Sequence, residues 1–161
     1  MIHNKELHSQ STESPLLSEA RRLAPLLAGK ANENEAAGRV SDESIEAMRE
    51  AGFFSLMVPK AMGGVEASPL DVLSIVEEIC NIDVATGWVM MAANVATASA
   101  AASLTDEGYE TVFGGNSQPI IAGAGAPTGK AEIVDGGYRL TGKWTYTAAA
   151  ACTATITTRA R

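Results

Sequence analysis

Histidine is the first residue to seek in a catalytic set, and this sequence holds only two, His3 and His8, both in a polar stretch ahead of any periodic segment. The body that follows has no imidazole to offer for Ser-His-Asp or Cys-His catalysis, for histidine-ligated zinc or for a His-carboxylate iron triad. Chemistry must fall to carboxylates, hydroxyls, backbone amides or a bound organic cofactor, and no metal site is expected. Cys80 and Cys152 stand far apart with no CxxC. That usage suits a reduced, cytoplasmic protein rather than a disulfide-stapled secreted one.

The carboxylate pairs Glu77-Glu78 and Asp106-Glu107 occupy neighbouring positions, which reads as solvated faces and helix starts and not as acid-base dyads. Gly123, Gly125 and Gly129 do not match GxGxxG, and Pro127 denies them the helix N-terminus that a pyrophosphate needs. Two readings of that segment stay open. It is either a plain connection over a helical unit, or a place where the backbone amides of Gly123, Ala124 and Gly125 face a planar cofactor, because residues without bulk allow close approach. Trp88 and Trp144 are the two tryptophans, each either core or ligand contact. Met90 and Met91 beside Trp88 either line an adaptable apolar substrate pocket or fill gaps between helices.

The elements that would position these groups follow from periodicity. The chain has 161 residues, 46% of them hydrophobic and 19% charged, enough for one globular domain or part of a larger one. Twelve basic against nineteen acidic residues give a net charge of -7 without a Lys or Arg cluster, so nucleic acid is not an expected partner. Residues 1–13 read as a frayed tail with no apolar run, hence not a secretory signal. Ser14-Pro15 opens a first helix carrying Leu16, Leu17, Ala20, Leu23, Ala24, Leu27 and Ala28 at helical spacing, with a kink or restart expected at Pro25 and a solvated face through Asn32–Glu35. Ser41-Asp42-Glu43 starts a second helix, with Ile45, Met48 and Ala51 on one side and Gly52 as a left-handed stop.

An apolar linker through Phe53, Phe54, Leu56, Met57 and Val58 leads to Ser68-Pro69, which caps a third helix expected to turn Leu70, Leu73, Val76 and Ile79 inward. Asp83 caps a fourth, which has no charged residue between Val84 and Thr105. It is long enough to span a bilayer. Its alanines, Asn94, threonines and serines argue instead for a buried helix packed through small residues, with no membrane. Thr105-Asp106 starts a fifth. The period then changes: Ile133-Val134 and Tyr138–Thr141 flank Asp135-Gly136-Gly137, a hairpin signal. The strands after it are too few to close a sheet and leave an open edge. The organisation expected is mainly α: an all-α unit over residues 14–116 and an incomplete β-domain over residues 117–161.

Taken in order, Ala51-Gly52-Phe53-Phe54, Val58-Pro59-Lys60, Gly63-Gly64, Asp83 with Gly87-Trp88-Val89, and Gly136-Gly137-Tyr138-Arg139-Leu140-Thr141-Gly142-Lys143-Trp144 resemble the acyl-CoA dehydrogenase superfamily. The similarity spans most of residues 16–147 and is strongest to its branch of flavin-dependent aromatic monooxygenases. The resemblance implies an N-terminal helical domain, a central β-domain and a C-terminal helical bundle that completes the flavin site and drives tetramer formation. It implies FMN or FAD as cofactor, a small aromatic substrate and a flavin reductase partner for the full-length protein. It also places Trp144 at the flavin. The branch follows that tryptophan with a hydroxyl residue, an aromatic, a small residue and Ser-Gly, whereas this sequence reads Thr145-Tyr146-Thr147-Ala148-Ala149. Thr147 is the hydroxyl that would replace the serine after a one-residue shift in register. On this reading the chain covers less than half of such a protein and is expected to bind flavin weakly and to be inactive alone. Two alternatives accompany it: an acyl-CoA dehydrogenase oxidising a CH–CH bond with FAD, and a non-catalytic helical interaction module that pairs through the open sheet edge.

Overall fold

Ser14, Ser41, Ser68, Asp83 and Thr105 each stand immediately before a helix in the computed structural model, which describes residues 14–115 and 118–144 and the backbone of 155–160. The helices are α1 (Pro15–Ala37), α2 (Asp42–Glu50), α3 (Pro69–Ile82), α4 (Val84–Ser103) and α5 (Asp106–Phe113). Four of the five caps use their side chains. Ser41 accepts from the Ser44 amide at 3.2 Å, Ser68 from Asp71 at 3.1 Å, Asp83 from Thr86 at 3.2 Å and Thr105 from Gly108 at 3.2 Å. Each such cap stabilises its helix by about 1 kcal/mol.

The core lies between α1, α2, the linker and the α3–α4 pair. Ala20, Leu23 and Leu27 of α1, Met48 of α2, Phe53, Phe54 and Leu56 of the linker, Ile75 and Ile79 of α3, and Met90 and Ala93 of α4 are all buried in one cluster. Gly87 lets α3 and α4 approach closely, since a Cβ there would lie 2.4 Å from Cys80 Sγ and 3.0 Å from its Cα. Asn94, buried in α4, donates to the Phe53 carbonyl and so ties the linker to the helix.

Several expectations are corrected by this packing. α1 does not restart at Pro25 but runs on through it; the proline is on the exposed face, where water can satisfy the carbonyl that its missing N–H leaves unbonded. Asn34 is not on a solvated face. It is 4% exposed, and its Oδ1 accepts from the Ser41 amide at 2.8 Å, joining the end of α1 to the start of α2. Leu70 and Leu73 point outward, 76% and 64% exposed, while Ile75 and Ile79 take the inward face of α3 with Val72 and Val76 packed beside them. Glu78 is half-buried and meets Arg21 of α1 at 3.2 Å. The charge-free α4 is buried on one side only. It is long and apolar enough to cross a membrane by length and composition, yet Thr86, Asn94 and Thr97 lie on its buried face while Val84, Trp88 and Val95 are exposed.

Gly123–Gly129 is not a plain connection: it lies within one long strand, β1 (Ile121–Val134). With β2 (Gly137–Thr141) and β3 (Thr155–Ala160) it forms a three-stranded sheet in the order β2-β1-β3. β1 pairs antiparallel with β2 across the turn Asp135-Gly136, where Gly136 takes a φ of 81°. Its first half pairs in parallel with β3, with a register irregularity between Ala124 and Gly129.

Candidate functional site

The buried start of β1 rests on α4. Ile120, Ile121 and Ala122 are buried, and the Ile121 amide donates to Thr97 Oγ1 at 3.2 Å. This bond holds the next three residues, Gly123, Ala124 and Gly125, opposite the C-terminal half of α4. Between them lies a cleft of about 490 Å³, walled on the helix side by Ala92, Val95, Ala96, Ser99, Ala100, Ser103 and Leu104. None of these residues carries a charge, so the cleft is apolar apart from two serine hydroxyls and the backbone. A side chain at Gly125 would enter open space, for a Cβ there meets nothing within 4 Å.

Trp144 follows β2, and its ring lies against β1 further along, at Gly129. A Cβ on Gly129 would come within 2.5 Å of the indole ring, and one on Gly142 within 2.6 Å, so the ring lies against two glycines that no larger residue could replace unmoved. Its approach is fixed by Thr128, whose hydroxyl donates to the Lys143 carbonyl at 3.1 Å. The indole Nε1 is buried and has no hydrogen-bond partner among the described residues. Four residues separate Gly129 from Gly125, about 13 Å at ordinary strand rise. Thr147 lies outside the described residues.

The two residues expected in a substrate pocket are separated. Trp88 is not core: it is 48% exposed and lines a groove of about 760 Å³ with Asn34, Val40, Val84 and Val89, between the α1–α2 corner and the start of α4. It shares its helix face with Ala92, Val95 and Ser99, at the i, i+4, i+7, i+11 positions, and so stands one turn before the cleft. Met91 is half-buried and lines neither space. Sequence reasoning missed Val95, Thr97, Ser99 and Ser103. The signal was present in that helical spacing, but the run of small residues on every side of α4 hid which face is open.

No titratable group lines the cleft, and the resolved shifts belong to surface ion pairs. Arg22, hydrogen-bonded to Glu19, holds that carboxyl below its usual range, and contacts with Glu43 and Glu33 raise Lys30. Among the described residues no three His, Cys, Asp or Glu side chains converge as a metal site would require.

The FADH2-dependent resorcinol hydroxylase oxygenase component of Rhizobium sp. (strain MTP-10005) is 32% identical over 133 residues, 81% of this chain and 32% of that protein. The flavin-dependent monooxygenase oxygenase subunit HsaA of Rhodococcus jostii (strain RHA1) is 35% identical over 124 residues, 77% of this chain and 32% of that one. Among solved structures, 3-HSA hydroxylase from Rhodococcus sp. RHA1 superposes with a TM-score of 0.83 at 29% identity, covering 91% of this chain and 38% of that structure. XiaF from Streptomyces sp., in complex with FADH2 and glycerol, gives 0.74 at 26% identity, covering 80% and 32%. The chain thus spans about a third of the length of the curated relatives it matches. Residues 12–110, the helical unit almost entire, match the profile of the acyl-CoA dehydrogenase N-terminal domain, and the chain belongs to that family.

Proposed function

We propose that the α4–β1 cleft is one part of the active site of a two-component flavin-dependent monooxygenase that acts on a small aromatic substrate. The observation that carries this reading is the charge-free cleft between α4 and Gly123–Gly125, in a chain whose relatives are oxygenase components using reduced flavin. The division is into a helical unit over residues 14–116 and a β-unit over residues 117–161. α4 serves as a core helix and not as a span, because its buried Asn94 and Thr97 anchor the linker and β1.

A flavin fits the residues present. Gly125 leaves room for a flat ring, and the Trp144 indole lies against Gly129 further along β1. Gly123, Ala124, Gly125 and Trp144 are the residues that would hold it, with Thr147 as a further hydroxyl. When bound, a flavin, FMN or FAD, supplies the redox centre that activates oxygen, which is chemistry no side chain of this chain provides. The chain's own residues do the rest. The Thr97–Ile121 bond fixes the glycine wall, the apolar side chains of Val95 and Leu104 exclude water, and Trp88 offers an aromatic face one turn from the cleft. A flavin reductase is the partner that would supply reduced cofactor, and the full-length protein is proposed to be a cytoplasmic homotetramer. The acyl-CoA dehydrogenase alternative fits less well, since the cleft offers no cation to an anionic CoA thioester.

Anaerobic titration of reduced FAD or FMN into the chain carrying Trp88→Phe, which leaves Trp144 as its sole tryptophan, tests the reading. Weak, saturable quenching of Trp144 is expected, and Gly125→Leu should abolish it while leaving the helical circular dichroism unchanged. No quenching, or quenching indifferent to Gly125→Leu, would refute the assignment.

A further inference from the structure

Trp88 opens onto a space that the α4–β1 cleft does not share. The groove between the α1–α2 corner and the start of α4 has a volume of about 760 Å³, within the range of small-molecule sites, and none of its lining residues lines the cleft. Val84 and Trp88, four residues apart on α4, are 70% and 48% exposed and give the groove an apolar wall. Its charge is uneven. Arg39, the sole basic residue of the lining, is committed to Asp42 by two hydrogen bonds at 3.2 and 3.1 Å. Among the described residues Glu35 has no ion-pair partner, and Asp83 caps α4 through the Ala85 and Thr86 amides without meeting a cation. α1 also ends at this groove, with no basic residue in its last turn to offset its carbonyl end. Asn34, 4% exposed and part of the same lining, uses Oδ1 to accept from the Ser41 amide and keeps a buried Nδ2 that has no partner among the described residues.

An anion would meet two carboxylates and the carbonyl end of a helix here, and a metal ion would find no set of three ligating side chains among the described residues. An organic cation needs no such set. Its apolar substituents cover the exposed valine, and its diffuse charge is attracted to the face of an indole. We propose that this groove is a binding site for a small organic cation, a quaternary ammonium with a short hydroxylated arm. The Trp88 ring and the Glu35 and Asp83 carboxylates hold the ammonium, and the hydroxyl oxygen accepts from Asn34 Nδ2. The site goes beyond the flavin and substrate chemistry of the cleft and does not depend on it.

The 161-residue chain carrying Trp144→Phe keeps Trp88 as its sole tryptophan, so Trp88 emission reports on the groove directly. Choline is the probe, 3,3-dimethylbutan-1-ol its neutral isostere and ethyltrimethylammonium its analogue without the hydroxyl, all at one ionic strength. Choline is expected to shift the emission saturably and to bind about two- to thirtyfold tighter than the isostere, the range of a cation over an indole face. Loss of the hydroxyl should weaken binding by about three- to tenfold, the range of one net hydrogen bond. Glu35→Gln, and Asp83→Asn, which still caps the helix, should each lower the affinity for choline and leave that for the isostere unchanged. The proposal is overturned if a chain with the parental helical circular dichroism binds choline no tighter than the isostere or not at all, or if the double variant Glu35→Gln, Asp83→Asn binds choline like the parent. Equal binding of choline and ethyltrimethylammonium would overturn the contact to Asn34. Quenching of Trp144 by flavin reports on the cleft separately, so the two readings fail by different measurements.

Discussion

The helical unit and the β1–β2 hairpin treat the same kind of residue in opposite ways. In the helical unit Phe53, Phe54, Leu27, Met48, Ile75 and Ile79 are at most 2% exposed, and the apolar period of each helix is satisfied by its neighbours. In the hairpin, Ile133 pairs with Tyr138 and Ala131 with Leu140, which sets all four on one face of the ribbon. That face is bare: Ile133 is 84%, Tyr138 73% and Leu140 48% exposed. Glu132, Arg139, Lys130 and Thr141 occupy the other side. An amphipathic ribbon with its apolar face in water has the pattern of a buried element without the burial. The helical unit is therefore the part whose stability is its own.

The largest expected effect tests that contrast. Phe53→Ala empties a fully buried ring site and should destabilise the helical unit by about 3–5 kcal/mol, seen as loss of the cooperative helical melt. Ile133→Ser combined with Tyr138→Ser should leave that melt within about 0.5 kcal/mol of the parent and lower the binding of an apolar dye. A hairpin double variant that melts as early as Phe53→Ala would erase the distinction between the two regions.

A smaller effect is expected where the two regions join. Thr97→Val keeps the shape of the side chain but leaves the buried Ile121 amide without its acceptor, at a cost of about 1–3 kcal/mol. The loss should concentrate in β1: hydrogen exchange at Ile121 and Ala122 should quicken, while exchange in α1 and α3 changes far less. Thr97→Ser should recover most of the protection. Uniform acceleration through the helices would mean that the bond supports the core and not the seam.

Legibility followed the range of each interaction along the chain and cut across that division. Helix starts could be read because Ser, Asp and Thr caps act within three residues of themselves, and the Asp135-Gly136 turn is equally local. The inward face of α3 could not, since Leu70, Leu73 and Val76 fit one helical stripe as well as Val72, Ile75 and Ile79 fit another. Only contact with α1 and α4 decides between them. The burial of Asn34 depends on an amide seven residues away. The strand character of Gly123–Gly129 depends on β3, more than thirty residues later, because a Gly-Ala-Pro run has little strand preference of its own. The glycine wall of the cleft was readable as a place of close approach, but the hydroxyls opposite became visible only when β1 chose one side of α4.

The smallest effect concerns the charged surface of the helical unit. Glu19 accepts from Arg22 at 2.9 and 2.6 Å, one turn inside α1, and this contact holds the Glu19 carboxyl below its usual range. A carboxyl whose folded value is depressed adds stability above its unfolded range and loses it as the pH falls through the folded value. Both partners are exposed, so salt screens the pair and the gain is small. Glu19→Gln should therefore melt slightly below the parent at pH 7, with the gap closing as the solution is acidified past the carboxylate range and shrinking in 0.5 M salt, where the Debye length falls to about 4 Å. Because the pair lies on α1, far in sequence from the hairpin, exchange rates in β2 should not respond at any pH. A response there would mean that the hairpin draws on the stability of the helical unit, and that the apolar face left bare on the ribbon is not independent of the helices beneath it.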